Sequence, residues 1–246
     1  MSVSQTDIVF YSAQNMPQDD SSLVGGDINS GVRVVFTDIS TTGLISASSS
    51  NSGDTSNLTV TGRNSAGILL SENIELSGTS SVSGSQVFER IISCSVDSIA
   101  SGDINISGSS LVGTIYQNES GFRRVFYDAT ANAAGGSDKT LYEKVFIKNN
   151  NAFSALNNVS VSEVVTGLYS IVQFGLENIK QSTETTIDRL TAPTGVSVFG
   201  SGASGLPQDG YLNPLDYQGV WLELFLEDGA SSNNSFYRLQ VQGATV

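Results

Sequence analysis

The chain has 246 residues, 39% hydrophobic and 14% charged, with 11 Lys plus Arg against 24 Asp plus Glu for a formal charge of −13, and it contains no His. Such an acidic surface repels nucleic-acid phosphates and anionic headgroups, so neither nucleic acid nor membrane is an expected partner. The lack of His excludes imidazole general bases, Ser-His and Cys-His activation and His-ligated metals.

In chain order, MSVSQTDIVFYSAQ opens with a strand candidate and carries neither a basic n-region nor an apolar h-region. A soluble chain made in the cytosol is the expectation, leaving it only by lysis or a dedicated machine. The polar PQDDSSLVGGDINSG reads as a loop, followed by a strand in VRVVFTDI. From Thr41 to Asn57 the composition turns to Ser, Gly, Asn and Thr, as in an exposed connection.

NLTVTGRNSAGILLSENIELSG, residues 57–78, then reads as a hairpin. Leu58 and Val60 alternate with Thr59 and Thr61, Ile74 and Leu76 with Asn73 and Glu75, and Gly67 in the turn is available for a positive φ. QVFERIISCSVDS is a third run and GDINISG a fourth, together an antiparallel unit of about 60 to 70 residues. Cys94, the single cysteine, rules out an intramolecular disulfide and reads as a small buried hydrophobe on the parity of Phe88, Ile92 and Val96.

Further strand candidates are LVGTIYQ, GFRRVFYDAT, TLYEKVFIKNNN, VSVSEVV, YSIVQFGLEN, GVSVFGSG, GVWLELFLED and FYRLQVQG. In Val220 to Glu227 one parity (Val220, Leu222, Leu224, Leu226) is wholly apolar, which predicts a central strand on a core. Ile179 to Leu190 offers the one helical pattern, and its Thr content argues against it. The fold class expected is all-β, a β-sandwich or jelly-roll-like domain.

Chemistry is thinly signalled. The acids Asp19, Asp20, Asp27, Asp103, Glu227 and Asp228 lie in turn-like contexts that calcium could use, but EF-hand spacing is missing and solvated turns explain them. A glycosidase needs two placed carboxylates, for which Glu223 and Asp209 are the candidates to test. GSGASG lacks a following Gly-Lys-Ser or Gly-Lys-Thr and reads as a turn. The aromatics Phe122, Phe126, Tyr127, Tyr142, Phe146, Trp221 and Phe225 could form a glycan platform, though core packing explains them more simply. The expectation is a non-enzymatic chain with no catalytic residue, cofactor or metal. Arg123 and Arg124, with Phe122 beside them, form a basic aromatic stretch suited to a protein interface, and Arg63 beside the hairpin turn is another such candidate.

Two patterns carry a resemblance. One is a frame of IVFYSAQNMPQDDSSLVGGDI, GFRRVFYDATANAAGGSDKTLYEKVFIKNNNAFSALNNVSV, APTGVSVF, GVWLELFLEDGAS and FYRLQVQGAT; the other is DTSNLTVTGRNSAGILLSENIELSGTSSVSGSQVFERIISCSVDS. Together they resemble virion structural proteins of tailed bacteriophages. The resemblance implies a β-sandwich domain of residues 1–40 and 118–246 with a small β module, 41–117, inserted in it, an arrangement that loop-closure entropy tolerates. It further implies a capsid decoration or cement protein, a late product assembled into the virion in the host cytoplasm. Its partners would be the major capsid protein or other virion proteins, and it would form a homo-oligomer, a trimer before other states. A tail or neck component, or a receptor- or glycan-binding module, is the alternative.

Overall fold

The structure, a computed structural model, describes residues 2–17, 19–126, 136–165, 172–229 and 237–246. In chain order a 3-10 turn (Gln5–Asp7) precedes β1 (Ile8–Asn15), β2 (Val24–Arg33), β3 (Gly43–Ser49), β4 (Asn57–Arg63), β5 (Leu69–Glu75), β6 (Val82–Phe88), β7 (Arg90–Val96), β8 (Ile104–Ser107) and β9 (Leu111–Ile115). There follow β10 (Gly121–Arg123), β11 (Lys139–Asn149), β12 (Leu156–Val165), β13 (Val172–Leu176), β14 (Thr185–Thr186), β15 (Ser204–Gly205), β16 (Tyr217–Leu226) and β17 (Arg238–Thr245). The fold is all-β and sandwich-like. Two compact units divide it: Met1–Asn29 with Phe126–Val246, and Ser30–Val125.

In the first unit the strands run β13-β16-β11-β1-β2, with β14 on β2, and a smaller sheet runs β15-β12-β17. As its apolar parity predicts, β16 is a central strand, antiparallel to β11 on one side and to β13 on the other. Both of its faces are covered. Leu224 and Leu226 pack with Leu141 on one, and Trp221 packs with Tyr142 and Val24 on the other. Residues 179–190 form turns and β14 instead of a helix.

The segment VGGDINSGVR, expected as a loop running into a strand, is itself β2, whereas Val34 to Asp38 is not strand. Gly25 makes this possible. Its φ is +93°, and a Cβ there would sit 2.6 Å from the Glu184 carbonyl and 3.0 Å from the Trp221 ring. Turn-like composition here marks a strand passing tightly beneath an indole.

The second unit is a two-layer sandwich. One layer runs from the end of β2 through β10, β7 and β4 to β5; the other is β6-β3-β8-β9. Leu58, Val60, Ile74, Cys94 and Phe122 from the first layer meet Ile45, Ala47, Ile104, Ile106 and Val112 from the second in one apolar cluster. Thr41 to Asn57, expected as an exposed connection, therefore carries a core strand, β3, in which Ile45, Ala47 and Ser49 face inward. The expected division at residues 41 and 117 falls within this unit, because Ile39 packs in its core and Gly121 and Phe122 pair with Val32 and Arg33.

QVFERIISCSVDS, expected as one run, is two strands in different layers. The chain crosses at Glu89, whose N–H donates to the Arg63 carbonyl. Beyond it, Thr61 pairs with Ser93 but Gly62 with Ile91, so Ile92 is an inserted residue and both isoleucines are buried. Gly62 accommodates this bulge: a Cβ would press on the Arg90 carbonyl and lie 2.7 Å from the Phe88 ring. Gly62→Ala is therefore expected to lower stability by about 1–3 kcal/mol, the usual range for overpacking, read as a lower urea midpoint with an unchanged slope.

Candidate functional site

The β4–β5 turn is built by Asn64 and Arg63. Asn64 Oδ1 accepts the N–H groups of Ala66 and Ile68, each at 3.0 Å, while the Gly67 N–H donates to the Asn64 carbonyl at 2.9 Å. Gly67 has φ +74°, the left-handed conformation expected of it. Arg63 Nη1 donates to the Gly67 carbonyl at 2.7 Å and so clasps the turn from inside. Held in this way, Ser65 to Leu69 form a continuous exposed stretch, with Ile68 59% and Leu69 50% exposed.

The other three residues singled out as an interface have different positions. Phe122 is 1% exposed, stacked on Phe36 at 4.7 Å in the sandwich core, so the interface role expected of its side chain is overturned. Arg124 forms an ion pair with Asp38, donates through Nε to the Ile91 carbonyl at 2.6 Å and lies 5.1 Å over the Phe36 ring. Burial, opposed by Asp38, lowers its pKa. It braces the chain segment entering the sandwich. Arg123 is half-buried, and its Nε is buried without a hydrogen-bond partner.

Beside the hairpin, an open groove of about 700 Å³ runs between β5 and β6, lined by Glu72, Glu75, Val82, Gly84 and Ser85 among others. Glu72 crosses it. Its carboxylate accepts the Ser85 N–H, the Ser85 hydroxyl at 2.8 Å and the Gln86 N–H at 3.1 Å. Partial burial opposes ionisation, but these bonds outweigh it and the pKa lies below the ordinary carboxylate value.

Most turn acids likewise serve the fold. Asp19 accepts from Ser21 and Ser22, Asp27 from Tyr217 and Asp103 from Gln117, and the Asp228 N–H donates to Asp138. Among the described residues no group of three or more His, Cys, Asp or Glu is placed to hold a metal. Glu223 accepts the Tyr142 hydroxyl at 2.9 Å, and Asp209 pairs with Lys180 at 2.9 Å. The Tyr142 hydroxyl is pushed up to about 12 by burial and by that carboxylate. Of the aromatics weighed as a glycan platform, Phe122, Tyr142, Phe146 and Trp221 are buried, Phe225 is 38% exposed, and Tyr127 lies outside the described residues. Cys94 is buried, and burial raises its pKa, so the thiol is inert.

Two buried charge clusters in the first unit have no counterpart in the sequence expectations. Lys144 and Glu177 are 0% and 1% exposed at the side chain, with Nζ and Oε1 2.7 Å apart. Lys144 also donates to the carbonyls of Ser182 at 2.9 Å, Gly26 at 3.0 Å and Glu184 at 3.3 Å, and the Trp221 indole N–H donates to Glu177 Oε1 at 3.0 Å. Burial lowers the Lys144 pKa and raises that of Glu177, each opposed by the partner's charge. On the other face of the same strand, Arg189 Nη2 lies 3.0 Å from Glu143 Oε1, both side chains 1% exposed, and the Phe126 N–H donates to Glu143 Oε2 at 2.9 Å. Charges in the middle of LYEKVFI were the available signal.

A scan against known protein families finds no match, and neither curated proteins nor solved structures provide a significant one.

Two outcomes follow from these sites. Arg189→Ala leaves Glu143 buried beside a vacated cation and is expected to cost about 3–5 kcal/mol, while the double variant Glu143→Leu, Arg189→Leu costs less, both read from urea midpoints. Asp54 accepts the Ser49 hydroxyl at 2.5 Å, the Ser101 N–H at 2.9 Å and the Gly102 N–H at 3.0 Å, which hold its pKa below the ordinary 3.8. A depressed folded-state pKa stabilises above the unfolded value and is lost as pH falls through the folded one. Stability of the sandwich should thus decline from about pH 4 downward, and Asp54→Asn should flatten that decline in pH-dependent urea titrations.

Proposed function

We propose that this chain is a non-enzymatic structural protein of a tailed-phage virion, a decoration or cement protein that stabilises the assembled head by binding across neighbouring capsid subunits. The observation that carries this reading is the β4–β5 tip. It presents Ile68 and Leu69 to solvent on a turn fixed by Asn64 and Arg63. An apolar anchor already held in one conformation loses little entropy on docking and so retains more of its contact energy. The phage-virion resemblance of the residues around this turn, TVTGRNSAGILL, supports the same reading.

Binding would occur where adjoining subunits together form the receiving surface, so that assembly and decoration reinforce one another by mass action. Several tips on one symmetric oligomer would add avidity without any new contact. The glycan-binding alternative has weaker support, because four of the aromatic side chains it would use are buried. A neck or tail location is the second structural reading, and the solution mass separates the two. A trimer favours decoration at local threefold positions, and a sixfold or twelvefold ring favours neck or tail.

The test is cosedimentation with expanded capsids and with isolated major-capsid subunits. Binding to capsids alone is expected; equal affinity for both would sink the mechanism. Replacing Ile68 and Leu69 by Asp should weaken capsid binding about tenfold or more, equivalent to about 1.4 kcal/mol. The urea midpoint should change little, since half or more of each residue is already exposed to solvent.

A further inference from the structure

The Lys144–Glu177 cluster differs from an ordinary buried ion pair in its leftover valence. Glu177 Oε2 is buried with no hydrogen-bond partner, and so is Glu184 Oε2. The Glu184 carboxylate acts electrostatically on both members of the pair. A buried carboxylate oxygen without a donor is costly, and the cost disappears if that oxygen leaves the structure. The second member sits where it could displace it: a primary amine in contact with the carboxyl group, on different strand segments, screened from water by Trp221, Phe146 and the carbonyls of Gly26 and Ser182.

We propose that Lys144 and Glu177 condense to an intramolecular isopeptide bond, so that this site is a self-modification centre tying β11 to the segment just beyond β13. The chemistry of the pair is independent of the virion reading. Its first step is proton transfer from the ammonium to the Glu177 carboxylate it touches, converting ammonium and carboxylate into amine and carboxylic acid. Burial favours this neutral pair, pushing the lysine pKa down and the glutamate pKa up. The acid proton settles on Oε2, leaving Oε1 as the carbonyl oxygen.

The Nζ lone pair then adds to Cδ of Glu177, forming the C–N bond, and negative charge gathers on Oε1. The Trp221 indole N–H already donates to that atom at 3.0 Å, where an oxyanion donor belongs. A second proton passes from nitrogen to Oε2 within the same tetrahedral adduct. The Cδ–Oε2 bond breaks, and one water departs. The products are a neutral secondary amide and that water; nothing is oxidised or reduced, and no external reagent is needed.

Condensation of an amine with a carboxylic acid is unfavourable in dilute water, but holding the two in contact supplies an effective molarity of order 10⁵–10⁸ M. Exclusion of solvent opposes the reverse hydrolysis. The rival is a permanent ammonium shared among Glu177 and the surrounding carbonyls, and mass separates the two.

The full chain, folded and incubated for days at neutral pH, is denatured and its intact mass measured beside that of Lys144→Arg, whose guanidinium keeps the charge but is a poor acyl acceptor. Wild type lighter than its sequence by one water, with a linked peptide pair containing Lys144 and Glu177 after proteolysis, and the variant at full mass, is the expected result. Wild type at full mass while its circular dichroism shows folded β-structure would overturn the proposal, and so would an equal loss of water from the variant. The decisive mass is that of the wild-type chain with its linked peptides, so the experiment still decides the matter if the variant fails to fold.

Discussion

The first unit is organised around charges buried on both sides of one strand. Consecutive residues of a β-strand face opposite sides of the sheet, so Glu143 and Lys144 in the middle of β11 cannot share a partner. Glu143 meets Arg189 on one face and Lys144 meets Glu177 on the other. An isolated charge in such surroundings costs several kcal/mol, which disfavours any arrangement that leaves either face uncovered or covered by the wrong segment. The ion pairs add little net stability compared with apolar replacements of the same volume; their effect is to specify which segments lie where. Chain following β13, including Ser182, Glu184 and Arg189, is thereby fixed on β11 although it has almost no regular structure of its own.

The second unit is held in another way. Its central cluster is apolar, and carboxylates at its loops accept backbone N–H groups. Asp54 joins the segments around Ser49 and Ser101, Asp38 accepts the Ile91 N–H, and Glu119 accepts from Arg33 Nε at 2.7 Å while that guanidinium covers the Tyr116 ring at 4.0 Å. Most serines on its strands point outward, while the inward positions carry Ile, Leu, Val and Phe. A low hydrophobic fraction therefore coexists with a continuous core.

This explains which parts of the fold were legible in the sequence. The β16 parity, the β4–β5 hairpin and the left-handed Gly67 follow from period and turn chemistry, which are local. β2 and β3 were missed because GGDINSG and ISASS carry loop-like composition, and their strand state comes from partners distant in sequence. The crossing at Glu89 hides within a continuous β-patterned run, since no Gly or Pro marks it. Of the candidate interface residues, Arg63 lies beside the turn, whereas Phe122 is buried in the core and Arg124 is tied to Asp38 and the Ile91 carbonyl. Hydrophobic and basic character alone does not tell surface from core in or just beyond a strand only three residues long. Lys144 and Glu177 were not legible as a pair because they stand 33 positions apart in the chain (177 − 144).

Glu72 also bears on how the molecule behaves among its own copies. Around Ser85 the ladder between β3 and β6 shifts register, and this irregularity turns successive N–H groups of an edge strand toward the groove. Unpaired donors of that kind are where a second chain adds its own strand, the first step toward fibres or disordered aggregates. The Glu72 carboxylate occupies them from within and places a negative charge at the position an incoming backbone carbonyl would need. At this edge Glu72 thus works against the addition of a further strand.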